Sequence, residues 1–166
     1  MSYPPEIVSR LTSVYEELIW LASRPYVTPR QARAWYSAVL AETLKRKVRR
    51  FSGLVSQAAL DQIDGRLVLE HFNRLSHSIS RLLELHISER IADPSAFVAL
   101  IEQCEQVHIT TEQENHRIRE SGGDYGLAGV IMVQWRSIDA ASRGKLYRRK
   151  LRGQVANSAE FAPAVE

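Results

Sequence analysis

One cysteine, Cys104, is all the sequence contains. That excludes an internal disulfide framework and any zinc site built from a cysteine cluster. No stretch approaches the roughly 20 apolar residues that a membrane-spanning helix needs, so no membrane partner is expected. Residues 1–14 lack the basic-then-apolar order of a secretory leader, which points to a cytoplasmic protein. Signatures of several chemistries are missing too. There is no His-Glu-x-x-His and no Gly-x-Ser-x-Gly, and the glycine-rich segment 122–129 lacks the Gly-Lys-Ser/Thr ending of a phosphate loop. Zinc-finger spacing and an RNP motif are likewise absent. No cofactor and no resident metal are expected.

What remains is an ordinary globular composition. The 166 residues are 45% apolar and 25% charged, so the chain can bury a core without staples.

Most of that core is written with a helical period. Ile7, Val8, Leu11, Val14, Tyr15, Leu18, Ile19 and Ala22 recur at helical steps behind Pro4 and Pro5, and Pro25 ends the run. Thr28 and Pro29 open a second helix, whose stripe of Ala32, Trp35, Tyr36, Val39, Leu40, Leu44, Val48 and Phe51 stops at Gly53. Ser56 caps a short helix that ends at the Asp64-Gly65 turn. The run 67–88 reads as one long helix with Val68, Phe72, Leu75, Ile79, Leu82, Leu83 and Ile87 inward. Asp93-Pro94 starts another, with Phe97, Leu100, Ile101 and Cys104 as its stripe. Thr111 and Glu114 form a capping box for a polar helix over about 112–120. A final helix covers roughly 137–155. Trp20, Trp35 and Trp135 flank apolar stripes and are expected as core or interface anchors.

The spacing therefore predicts an all-α, or nearly all-α, compact bundle-like domain of five to six helices over 1–155. A minor two-stranded β-ribbon near 107–110 and 130–134 is the only sheet expected. Residues 156–166 read as a frayed tail.

Net charge is only +3, yet the cations are clustered. Lys45, Arg46, Lys47, Arg49 and Arg50 form one group, and Arg143, Lys145, Arg148, Arg149, Lys150 and Arg152 another. Together they hold 11 of the 22 cations without one acid. On a regular helix Lys145, Arg148, Arg149 and Arg152 share a face. Such a face suits phosphate contact.

The five histidines, His71, His77, His86, His108 and His116, all fall between positions 71 and 116. Their spacing puts no two on one helical face, although Glu105 and His108 make a single Glu-x-x-His. His86 lies on an apolar stripe and reads as a hydrogen-bonded core residue.

These features favour a non-catalytic regulatory or accessory factor that contacts nucleic acid. The contacts are Lys45, Arg46, Arg49, Arg50, Lys145, Arg148, Arg149 and Arg152. One alternative is a helical adaptor for an acidic protein partner. Another is a metal-dependent nuclease around Glu70, His71 and His108, with Glu114, Asn115 and His116 nearby. A His-Asn-His nuclease module wants a β-hairpin before its helix, and 67–88 reads as helix throughout. The broad apolar circumference of the first helix, with Trp20 beside Ile19 and Leu21, also suits a homo-oligomer.

Overall fold

The computed structural model describes residues 3–39, 42–73 and 75–163. Leu40 of the second stripe lies outside the described residues, as do the side chains of Val39, Leu75 and His77. In chain order the elements are α1 (Pro5–Ala22), α2 (Pro29–Val39), α3 (Glu42–Val48), β1 (Arg50–Ser56), α4 (Gln57–Asp61), β2 (Leu67–His71), α5 (Leu75–Ser88), α6 (Pro94–Cys104), β3 (Gln106–Thr111), α7 (Glu112–Glu120), β4 (Met132–Gln134) and α8 (Ala140–Leu146). A 3-10 turn at Trp135–Ser137 precedes α8, a π-helical stretch at Tyr147–Leu151 continues it, and a second 3-10 turn spans Ser158–Phe161.

The all-α expectation is overturned by a four-stranded mixed sheet in the order β2-β3-β1-β4. β1 runs parallel to β3, while β2 and β4 run antiparallel to their neighbours. The expected ribbon segments do hold strands, but β1 lies between them and they do not pair with each other.

Two stretches read as helix are in fact extended. The tail of the second stripe, Phe51, belongs to β1, where Phe51 and Val55 repeat at the even spacing of a strand. Gly53 is a bulge rather than a helix stop. Its φ of +83° falls where the β1–β3 register slips between Phe51 and Val55, a conformation that costs glycine little. The front of the long predicted helix is β2, paired with β3 from Leu67↔Thr111 to His71↔Val107. Val68, Phe72 and Ile79 are compatible with a helical stripe, but Leu67 and Leu69 fit the two-residue period equally well. Pairing with a strand about 40 positions away decides the matter.

The chain divides into two compact units. The helical unit comprises α1, α2, α3, α5 and α6. Its core joins Ile7, Leu11, Leu18, Ile79, Leu83, Phe97 and Ile101, and full burial of each stabilises by about 1.5–3 kcal/mol. Asp93 caps α6 by accepting the Ser95 N–H. His86 is the buried, hydrogen-bonded residue its stripe suggested, with Nδ1 2.7 Å from the Tyr15 hydroxyl. Cys104 is buried, and that burial raises its thiol pKa. Trp20 and Trp35 are more than half exposed, 59% and 52%, so neither anchors the core of this unit. Trp20 instead lies under the Arg24 guanidinium, 4.0 Å from its ring centre. Among the described residues no helix is long and apolar enough to cross a membrane.

The sheet unit holds β1–β4, α4, α7, α8 and the segments that follow. On one face of its sheet Phe51, Val55, Leu67, Val107 and Ile109 pack with Trp135, Ile138, Leu146, Leu151 and Val155. Here Trp135 is the buried anchor expected of it. Residues 157–161, assigned above to the tail, complete this core. Asn157 accepts the Phe51 N–H at 2.9 Å and donates to the Phe51 carbonyl at 3.0 Å, as a strand neighbour would. Phe161 lies 4.7 Å from the Phe51 ring and 5.7 Å from Trp135.

Candidate functional site: a cationic groove and a histidine cluster

The C-terminal cations do not form the single face that regular spacing predicts. After α8 the backbone widens into a π-helix over Tyr147–Leu151, which removes the three- and four-residue alignment. Lys145 is committed to Asp64, 2.9 Å away. Arg149 forks over the same turn, donating to the carbonyl oxygens of Ile63, Asp64 (3.2 Å) and Gly65 (3.0 Å). A turn exposes carbonyls without partners, and the planar guanidinium satisfies several at once. Lys145 is also what holds the Asp64 pKa below the ordinary carboxylate value. Lys150 has its pKa lowered by burial and by neighbouring Arg149. Arg148 and Arg152 remain exposed, and no side-chain partner holds either among the described residues.

The first cluster is divided between the units. Lys45 and Arg46 lie on α3 in the helical unit, whereas Arg49 and Arg50 open the sheet unit. None of these four is without a partner, and Arg50 pairs with Glu160 at 3.5 Å.

What the sheet unit does build is a groove of about 1600 Å³. β1 contributes Ser52 and Gly53. Arg136, from the turn after β4, joins Arg143, Lys145 and Arg148 on its cationic lining, against the lone carboxylate of Glu160. The helix that places Arg143 and Lys145 starts at Asp139, whose carboxylate caps it by accepting the Ser142 N–H. Arg136, Arg143 and Arg148 have no ion pair or side-chain hydrogen bond among the described residues. Arg136 has no cationic neighbour in sequence, so clustering gave no signal for it.

No family model, curated protein or solved structure matches this chain. Function must be read from its own geometry.

Of the five histidines, His71, His108 and His116 are in the sheet unit, whereas His77 and His86 belong to the helical unit. Pairing of β2 with β3 sets Glu70 opposite His108 and His71 opposite Val107. Alternation therefore puts Glu70 and His108 on one face and His71 on the other, so the expected trio of Glu70, His71 and His108 is split. The strand–strand–helix order β2, β3, α7 does exist, contrary to the helical reading of 67–88. Even so, the described residues contain no group of three or more His, Cys, Asp or Glu side chains able to hold a metal. Glu105 and His108 do not share a helix: Glu105 ends α6 and accepts a hydrogen bond from Tyr36 at 3.2 Å, while His108 lies in β3. Glu114 is the capping-box acid of α7 and also receives the Ser56 hydroxyl at 2.5 Å. His116 is exposed and 3.3 Å from Glu120.

Around His108 the surroundings are aromatic. The rings of Phe72 and Tyr125 stand edge-on to it at 5.4 and 5.7 Å. Burial pushes the His108 pKa down to about 4, and burial together with the charge of Glu70 pushes the Tyr125 phenol up. Tyr125 sits in the glycine-rich segment, where Gly122, Gly123 and Gly129 all adopt positive φ. That segment is a turn that delivers an aromatic ring. The partner of His108 is Ser52, whose Oγ lies 2.5 Å from Nδ1. Ser52 went unremarked in the sequence because its partner is 56 positions away.

Proposed function

We propose that the protein binds the sugar–phosphate backbone of nucleic acid in the cationic groove of its sheet unit. One observation carries this reading. The guanidinium groups of Arg136, Arg143 and Arg148 line one groove and are not neutralised by carboxylates of the described chain. Uncommitted arginines beside a concave surface favour phosphate oxygens, which match their planar donors. The groove also exceeds the roughly 300–1,000 Å³ of small-molecule pockets, which suits a polymer. Nothing in it favours reading of base edges, so contacts of this kind position a strand without selecting its sequence. A cytoplasmic regulatory or accessory factor remains the setting that fits.

Retention of short DNA or RNA duplexes and single strands, measured at two salt concentrations, tests the proposal. Binding that weakens steeply as salt rises is expected. Absence of retention at low salt overturns it, and preferential capture of polyglutamate assigns the groove to an acidic protein partner instead.

A further inference from the structure

We propose that the cationic groove takes single-stranded rather than duplex nucleic acid, with Phe161 as the platform on which an unpaired base stacks. The choice of strand rests on the nucleic-acid reading above. The stacking rests on the setting of the ring itself.

The groove is not cationic throughout. Besides Arg136, Arg143 and Arg148, its lining includes the apolar side chains of Ile63, Trp135 and Phe161. Of the two rings, Trp135 is only 6% exposed, whereas Phe161 is partly exposed. Phe161 is therefore the ring that a ligand in the groove can reach. It is also held in place. Its ring stands edge-on to Phe51 and Trp135, at 4.7 and 5.7 Å. Asn157, just before the 3-10 turn that carries Phe161, ties the segment to β1 through both backbone groups of Phe51. Gly53, which also lines the groove, leaves one edge of the ring uncovered, since a Cβ there would stand 3.6 Å from it. A ring fixed in advance loses little conformational freedom when a base settles on it.

Duplex and single strand offer such a surface different things. A duplex turns its phosphates outward and keeps its base faces stacked on one another, so it meets arginines and leaves an aromatic ring without a partner. A single strand offers the same phosphates and can splay its bases onto aromatic side chains. Every base has a π-face, so this contact is tolerant of sequence, and it strengthens binding about 5- to 150-fold per base. Guanidinium groups and a fixed, reachable ring in one groove match the single strand on both counts.

Titration of the whole folded chain with four ligands at low salt tests the proposal. They are oligothymidylate, oligouridylate, the duplex of oligothymidylate with its complement, and an abasic strand of the same length and charge. Oligothymidylate or oligouridylate should bind about tenfold or more tighter than both the duplex and the abasic strand, and the tighter of the two identifies the strand as DNA or RNA. Phe161→Leu, which keeps an apolar side chain against Phe51, should weaken that strand about fivefold or more. It should leave the abasic strand and the slope of log affinity against log salt unchanged, because no phosphate contact is lost. Arg148→Ala should instead weaken all four ligands and lower the slope. If Phe161→Leu does not fold, the comparison with the abasic strand decides on the native chain alone. A duplex or an abasic strand held as tightly as the single strands, or unchanged affinity in folded Phe161→Leu, overturns the proposal and leaves the groove reading standing. Retention of none of the four overturns both.

Discussion

Ser56 and Glu114 meet across 58 positions of chain, the serine hydroxyl donating to the buried carboxylate at 2.5 Å. The same oxygen of Glu114 accepts the Thr111 N–H at 2.9 Å, and Ser56 Oγ accepts the Ala59 N–H at 3.1 Å. Two helix caps, those of α4 and α7, are thereby joined through one hydrogen bond. Glu114→Ala should leave the Ser56 and Thr111 donors unpaired and cost about 2–4 kcal/mol, read as a lower urea midpoint. Glu114→Gln, which keeps an acceptor, should cost less than half as much.

Stability should fall in acid because of His108. Its native pKa is about 4, against about 6.5 for a free imidazole. Between those values the unfolded chain binds a proton that the native state refuses. The contribution is therefore complete above pH 6.5 and is lost as pH drops towards 4, amounting to about 2–3 kcal/mol. Urea titrations from pH 7 to 4 should show that decline, and His108→Gln should flatten it.

Cations that look alike in sequence should behave differently when removed. Arg143→Ala with Arg148→Ala should weaken nucleic-acid binding more than tenfold and reduce the slope of log affinity against log salt by about 1.8. Arg149→Ala should leave that slope unchanged and lower the melting temperature, because its guanidinium holds the Ile63–Gly65 carbonyls. A gel-shift series and a thermal melt on the same two variants separate the effects.

The segment after α8 should prove structural. Asn157→Ala removes both hydrogen bonds to the Phe51 backbone and should cost about 1–3 kcal/mol. Phe161→Ala, which strips a ring from Phe51 and Trp135, should cost a similar amount. Chemical denaturation of each variant checks both figures.

Local signals were legible wherever the interaction they describe is local. The capping box of Thr111 and Glu114, the Asp93 cap and the stripe of α1 all stand in the structure because each helix closes its hydrogen bonds within a few residues. The buried, hydrogen-bonded state of His86 was legible for the same reason, since its place on a stripe foretold its burial. Leu67–His71 was not legible as a strand. A five-residue apolar run satisfies the helical and the extended period alike, and the ladder that decides between them belongs to β3.

By itself the sequence determined where α1, α2, α6 and α7 begin, the buried stripe of α1 and how many cations the chain carries. These depend on caps and periodicities spanning a few positions. Tertiary structure alone decided that 50–56 and 67–71 are strands, that Ser52 meets His108, and which arginines stay uncommitted. Each of those outcomes depends on partners distant in sequence: Asp64 answers Lys145 across 81 positions, and β3 answers β1 across more than 50. Charge and apolarity are properties of a residue, but neutralisation and strand pairing are properties of what the fold brings beside it.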